Sequence, residues 1–153
     1  MKEYVLNCLN DDEIVVNQLL DIDNKIQFTS YTINDLVNLI KSIDIDNFDD
    51  SNKYVFITDG ELKTVLTILF NYYSNIKIIN INKKNIAIIK WFYIVIKKYY
   101  EDNDLEFNIL LDIHNDYRKY DYENNIVICG YEEFCLNIGE LFNNKNIKKL
   151  IIE

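Results

Sequence analysis

The chain has 153 residues, 49% of them hydrophobic and 27% charged, a composition that excludes a disordered chain and allows a sizeable buried core. Its formal net charge of −9 argues against nucleic-acid binding, which needs a cationic surface. No apolar run approaches the roughly 20 residues of a membrane span, because the longest, residues 86–96, contains Lys90. We therefore expect neither nucleic acid nor a membrane as a partner.

Cysteine usage points to a reducing compartment. The three cysteines, Cys8, Cys129 and Cys135, give an odd count without a CxxC pair, and no signal-peptide pattern opens the chain. We expect free thiols and a cytoplasmic location. The excess of Asn, Ile and Lys is typical of AT-rich genomes such as those of giant viruses and poxviruses, and a viral chain would act in the host cytoplasm.

The first residues contain two β-rich runs. "YVLNCL" (residues 4–9) alternates between two sets of side chains, and "IVVN" (14–17) is rich in β-branched residues. The polar "NDDE" between them completes the pattern of a β-hairpin. Residues 18–31 fit either a short helix or an irregular crossing.

The middle of the chain predicts two helices separated by a strand. "TINDLVNLIKSI" has apolar residues at helical spacing, with Thr32 as N-cap and Asp35 three residues later. "YVFIT" predicts a short strand. Asp59 is then a candidate N-cap, with Glu61 in the first turn of a helix whose apolar stripe spans residues 62–73. "SNIKIININ" breaks this helix with an extended piece.

A long apolar segment, "KKNIAIIKWFYIVIKKYY", is apolar nearly all round over residues 86–96. That pattern is typical of a central helix covered on most sides. Farther on, "NNIVICG" predicts a strand, whereas "DLEFNILLDIHND", "YEEFCLNIGELF" and "NIKKLII" predict helices. The expected fold class is α+β, with short N-terminal strands followed by a helical cluster and extra C-terminal helices.

The sequence contains no recognisable motif for catalysis or for cofactor binding. The one histidine, His114, has no cysteine beside it in sequence, so a nucleophilic pair has no local support. Three unclustered glycines exclude a phosphate-cradling loop, and zinc-ligand spacing is missing. The acidic "DIDNFDD" lacks the glycine and closing glutamate of a calcium loop. We expect no cofactor, no metal and a binding protein rather than an enzyme.

The order of elements resembles the BTB/POZ superfamily, in particular its elongin C and Skp-like type. "YVLNCLNDDEIVVN" is similar to the opening hairpin of that fold. "YVFITDGELKTVLTILFNYYSNIKI" is similar to its next strand, acidic step and aromatic-ended helix, and "NKKNIAIIKWFYIV" resembles the helix that follows. The resemblance covers residues 2–111 and implies an interaction domain at 1–114, with a helical extension packed on it at 115–153.

The resemblance implies protein–protein interaction. Such domains form homodimers, or act as adaptors between a cullin scaffold and F-box-like substrate receptors in ubiquitin ligases. Cullin-binding members carry a hydrophobic-x-acid motif, which Phe48, Asp49 and Asp50 match. The resemblance places Tyr72 and Tyr73 where a BTB/POZ domain contacts its cullin scaffold. These five residues are the predicted protein-binding site.

An alternative is a poxvirus-type Bcl-2-like protein that binds host apoptotic or signalling partners. "IAIIKWFYIVIKKYY" resembles the buried central helix of those bundles. That fold is all-α, so the predicted strands argue against it. An enzyme of unknown class is a third alternative that no motif supports.

Overall fold

In the part of the chain that the structure describes, three helices come first, and the strands of a parallel sheet follow with two helices between them. A computed structural model describes residues 1–46, 51–71, 75–80, 84–113, 120–131 and 146–153. The helices are α1 (Lys2–Asp11), α2 (Glu13–Gln27), α3 (Ile33–Ser42), α4 (Leu62–Asn71) and α5 (Ile86–Asp102). The strands are β1 (Lys53–Thr58), β2 (Ile76–Asn80), β3 (Ile109–Asp112), β4 (Asn125–Cys129) and β5 (Lys149–Ile152).

The predicted N-terminal hairpin is wrong, because α1 and α2 occupy this part of the chain. In α1 the buried residues Val5 and Leu9 are four positions apart. In α2 the buried residues Val16 and Leu20 have the same spacing. Spacing of four places each pair on one helical face, and a short apolar run fits that period as well as it fits strand alternation.

The helix signals in the middle of the chain are largely confirmed. Thr32 caps α3: its Oγ1 accepts the N–H of Asp35 at 3.1 Å, and the Asp35 carboxylate accepts the N–H of Thr32 at 2.8 Å. Helix α4 begins at Leu62. Asp59 lies in the turn before it, where its carboxylate accepts the N–H of Glu61 at 3.0 Å. The acidic step therefore stabilises a turn rather than capping the helix directly.

The five strands form one parallel sheet in the order β3-β2-β1-β4-β5. Phe56 at the centre of β1 is paired with Ile78 of β2 on one side and with Ile128 of β4 on the other. The chain runs outward from β1 to β3 and then returns to the opposite side of β1. The strand order thus reverses between β1 and β4, which is the topological switch point of an open parallel sheet.

A mixed fold of helices and strands is confirmed, but its strands are not N-terminal. The predicted strand at "NNIVICG" is confirmed as β4, whereas Ile109–Asp112 and Lys149–Ile152 form strands instead of the predicted helices. Each is a short run rich in Ile and Leu that lies beside an existing strand, so sheet pairing decides its conformation. The sheet joins strands from both sides of the predicted 114/115 boundary. The all-α architecture of the alternative bundle does not contain such a sheet.

The two faces of the sheet carry separate cores. On one face Phe56 and Ile128 pack with α4 and α5, α1 and α2 pack against α5, and α3 packs against α1 and α2. On the opposite face Val55 and Val127 pack with the buried ring of Tyr122. Alternation along β1 therefore sends successive side chains into different cores.

Helix α5 is buried on most sides, as its composition predicted. Trp91 and Phe92 are 9% and 0% exposed, and Ile94 faces solvent at 64%. Helices α1, α2 and α4 all contact α5, which also covers the sheet. Side chains that face these neighbours should contribute strongly to stability.

We expect Phe92→Ala to lower the free energy of unfolding by about 3–5 kcal/mol, because it leaves a cavity in the centre of the main core. Ile94→Ala on the same helix is the matched control and should change it by less than about 0.5 kcal/mol, since Ile94 is exposed. Urea denaturation monitored by far-UV circular dichroism measures both. Equal losses in the two variants would contradict the placement of α5.

Candidate functional site

The predicted protein-binding residues lie outside the described residues: Phe48, Asp49, Asp50, Tyr72 and Tyr73. The described residues next to these two segments are in contact with each other. Asn71 donates from Nδ2 to the carbonyl oxygen of Asp44 at 3.0 Å, and its Oδ1 accepts the N–H of Asp46. The loop after α3 and the end of α4 are thus held together at Asp44, Asp46 and Asn71.

A groove lies beside the topological switch point, between α4 and the carboxyl end of β4. Its volume is about 410 Å³, and we call it the switch-point groove. Its lining includes Phe56, Thr58, Lys63, Ile128, Gly130 and Glu153. Open parallel sheets bind ligands outside the carboxyl ends of their strands where the strand order reverses, and this groove has that position.

The switch-point groove has an apolar floor and polar walls. Phe56, Ile68 and Ile128 line the floor and are each less than a tenth exposed. Thr58 is buried at the end of β1, where its Oγ1 accepts the N–H of Gly60 at 3.2 Å. Because a hydroxyl can donate as well as accept, Thr58 still has a proton to offer a ligand. Lys63 adds a cationic side chain from the first turn of α4.

Gly130 leaves space at one end of the groove. It follows β4 directly. Every second residue along this strand points to the same face of the sheet, so Gly130 lies on the face of Ile126 and Ile128, whose side chains pack toward α4. Among the described residues the glycine with positive φ is Gly60, so the backbone of Gly130 does not require glycine. The missing side chain instead keeps this end of the groove open.

The N-terminus of α5 is occupied by a side chain from α2. Asp23 is 2% exposed, and its carboxylate accepts the N–H of Ala87 at 3.1 Å and that of Ile88 at 3.0 Å. Burial raises the pKa of Asp23 above its usual range, although the hydrogen bonds from Ile88 and Ala87 act in the opposite direction. A carboxylate at this position satisfies the positive end of the helix dipole, so α5 does not offer an anion site there.

A second surface of interest is an apolar stripe on the solvent side of α2. Val15, Leu19, Ile22 and Ile26 follow one another at spacings of four, three and four residues, and we call them the α2 stripe. Val15, Ile22 and Ile26 are 48%, 49% and 62% exposed, and Leu19 is half-buried. Helix α2 therefore has one apolar face toward the core and a second toward solvent.

The described cysteines do not resemble catalytic nucleophiles. Burial raises the pKa of the Cys8 thiol, which disfavours the reactive thiolate. Cys129 is buried, and its side chain packs in the Tyr122 core, on the sheet face opposite the groove floor. His114 and Cys135 lie outside the described residues.

No family model, curated protein or solved structure matches the chain. Among the described residues, no helix is both long and apolar enough to cross a membrane. In the same part of the chain, no group of three or more His, Cys, Asp or Glu side chains is placed to hold a metal ion. The candidate sites therefore rest on the geometry of this chain alone.

Sequence reasoning missed both surfaces for identifiable reasons. The 4-3-4 spacing from Val15 to Ile26 is readable in the sequence, but the hairpin prediction for residues 4–17 concealed it. The groove had no local signal, because Lys63 and Gly130 meet only through the pairing of β1 with β4.

We expect Asp23→Ala to lower the free energy of unfolding by about 1–3 kcal/mol, because two buried N–H groups lose their acceptor. Asp23→Asn keeps one acceptor oxygen and should cost less. Asp21→Ala removes an exposed acid of the same helix, which forms a 3.1 Å ion pair with Lys25, and should change stability by less than about 0.5 kcal/mol. Urea denaturation at neutral pH would contradict the capping role if the Asp23→Ala loss were no larger than this control.

The stability contribution of Asp23 should also depend on pH. Because the folded protein holds this proton more tightly than the unfolded chain, protonation of Asp23 adds stability that is complete below pH 3.8 and is lost as the pH rises through the raised pKa, whereas its two hydrogen bonds remain above that pKa. Asp23→Asn cannot titrate, so the unfolding free energy of the wild type relative to this variant should fall over that interval. Urea unfolding of both proteins across the acid range measures the difference, and a rising difference would contradict the raised pKa.

Proposed function

We propose that the chain is a protein–protein interaction module that self-associates through the α2 stripe, with a second copy of the chain as the partner. This proposal rests on the heptad-spaced apolar residues Val15, Leu19, Ile22 and Ile26, of which Leu19 is half-buried and the other three are exposed. Single exposed apolar residues are ordinary on protein surfaces, whereas a continuous helical stripe is typical of a helix-pairing surface.

In an unpaired copy of the chain, the end of α2 also leaves an aromatic side chain exposed to water. Phe28, the C-cap residue, has φ of 59° and is 95% exposed. Positive φ is uncommon for a bulky residue, and full exposure of an aromatic ring adds contact with water. Pairing through α2 would shelter apolar side chains at about 25 cal/mol per Å² of surface removed from water.

Charges along α2 favour an antiparallel pair. With Leu19 of one copy against Ile22 of the other, Val15 lies against Ile26 at both ends, so the contact is the same for both copies. The acidic start of α2, formed by Glu13 and the N-cap residue Asp12, then comes near Lys25 of the partner. A parallel pair would instead bring the acidic starts together, and helix dipoles also favour the antiparallel arrangement.

The net charge of −9 should make association depend on salt. Two acidic chains repel at long range, whereas Asp21 and Lys25 beside the stripe form an ion pair that leaves this flank nearly neutral. Salt screens the long-range repulsion but leaves apolar contact intact. Association should therefore strengthen as salt is raised.

Adaptor function toward a cullin scaffold stays a prediction. Its motivating residues, from Phe48 to Asp50 and Tyr72 to Tyr73, lie outside the described ranges. Affinity purification from host-like cell extract with wild type beside Phe48→Ala and Tyr73→Ala tests it. Absence of cullins from the wild-type sample would contradict it, as would their full retention by both variants.

We expect Ile22→Glu to abolish self-association, because it places a charge at the centre of the paired stripe. At high micromolar concentration, light scattering should give the wild type a mass approaching twice 18.3 kDa and the variant 18.3 kDa. Ile94→Glu is the matched control, since Ile94 is equally apolar and 64% exposed but lies on α5. Its mass should equal that of the wild type. A strictly monomeric wild type at raised salt would overturn the proposal.

The antiparallel arrangement can be tested by cross-linking. A Val15→Cys chain mixed with an Ile26→Cys chain should form a disulfide between the two under mild oxidation. Two Val15→Cys chains should remain unlinked, because their positions lie at opposite ends of the pair. Efficient linkage of Val15→Cys to itself would indicate a parallel pair. Wild type with its half-buried Cys8 gives the background.

A further inference from the structure

We propose that the switch-point groove binds a small zwitterionic molecule with an apolar body, of the class of apolar amino acids. The groove lies beside α4, away from the α2 stripe, so this inference is independent of self-association. Its 410 Å³ volume is in the range of small-molecule sites, which combine an apolar lining with a few polar groups.

The ionised groups of the groove indicate a ligand with both charges. Lys63 and Glu153 are the charged lining residues, one of each sign. Among the described residues neither forms an ion pair, although both border the same groove. A carboxylate bound at Lys63, with help from Thr64, and an ammonium bound at Glu153 would satisfy both. A ligand with one charge would satisfy only one of them.

The position of Glu153 supports this assignment. Its backbone N–H donates to the carbonyl oxygen of Cys129 at 2.9 Å, and its carbonyl oxygen accepts the N–H of Tyr131 at 3.1 Å. These bonds hold Glu153 beside Gly130, across the groove from α4. The space left by the missing side chain of Gly130 therefore lies close to the backbone of Glu153, whose carboxylate would bind the ammonium.

A dinucleotide or a strongly charged phosphate does not fit this site. Phosphate sites at the end of the first strand use glycine-rich turns with free N–H groups. Here the turn before α4 carries Asp59 and Glu61, and the N–H of Glu61 is already bonded to the Asp59 carboxylate. Asp59 is also paired with Lys84 at 3.7 Å, so neither of these groups is open to a phosphate, and the Glu61 carboxylate repels a dianion. A zwitterion instead places its single carboxylate at Lys63.

The apolar floor selects the body of the ligand. Phe56 and Ile128 come from neighbouring strands, and Ile68 comes from the wall formed by α4. Each of the three still exposes less than a tenth of its surface to solvent, and an apolar side chain of a ligand would cover that surface. Asn71 at the far end has its amide bonded to Asp44, Asp46 and Thr67, so it closes the groove rather than binding a polar group.

The test uses the full chain and L-phenylalanine as the probe, observed by two-dimensional amide NMR. We expect saturable shifts at the amides of Thr58, Thr64 and Gly130. Phenylpropionate lacks the ammonium and phenylethylamine lacks the carboxylate, so each should bind at least about tenfold more weakly, the loss of one charge-assisted contact. Equal binding by either analogue would overturn the zwitterion assignment. An absence of saturable shifts with L-phenylalanine would overturn the site.

Variants locate the site within the chain. Lys63→Gln changes an exposed residue and should weaken L-phenylalanine binding about tenfold without altering the fold. Gly130→Val should block the groove, and Gly130→Ala, which adds one methyl group, should have a smaller effect. Lys90→Gln on α5 is the matched control and should bind like the wild type. Wild-type binding by Lys63→Gln would overturn the proposal even if Gly130→Val failed to fold.

Discussion

One buried carboxylate joins the two parts of this molecule. Asp23 belongs to the helical first part of the chain, yet both its hydrogen bonds go to the start of α5, which covers the parallel sheet. A buried acid is costly unless its oxygens are bonded, and two helix N–H groups are suitable partners. Since α1 and α2 pack on α5, and α3 packs on both, the Asp23 contact helps to fix how the helical layer lies over the sheet.

The same helix that supplies Asp23 carries the α2 stripe. Its inner face holds Val16 and Leu20 in the core, and its outer face presents Ile22 and Ile26 to solvent. A helix fixed from the inside is a rigid platform for a partner, because pairing then requires little ordering of the chain. The switch-point groove is formed instead by α4 and β4, so the two candidate surfaces use different parts of the fold.

Local signals in the sequence predicted part of this structure. The Thr32–Asp35 capping box, strand β1 and the apolar helix α5 each depend on neighbours within a few positions. The N-terminal helices were missed because Val5 and Leu9 are four positions apart, a spacing that places them on one face of a strand and also on one face of a helix. Strands β3 and β5 were missed because four-residue runs gain their conformation from the strand beside them. The groove and the Asp23 cap depend on contacts between distant segments, which no local pattern encodes.

The central position of β1 has a consequence for how the chain folds. Its partner on one side, β2, follows after a single helix, whereas its partner on the other side, β4, comes far later, with Lys53 paired to Asn125. During synthesis, β1, α4, β2, α5 and β3 can assemble early, but one edge of β1 stays open until β4 has been made. Closing that long loop has an entropic cost, and it slows the last stage of folding. An open apolar strand edge also invites pairing with other chains, so nascent molecules are most prone to aggregate in that interval.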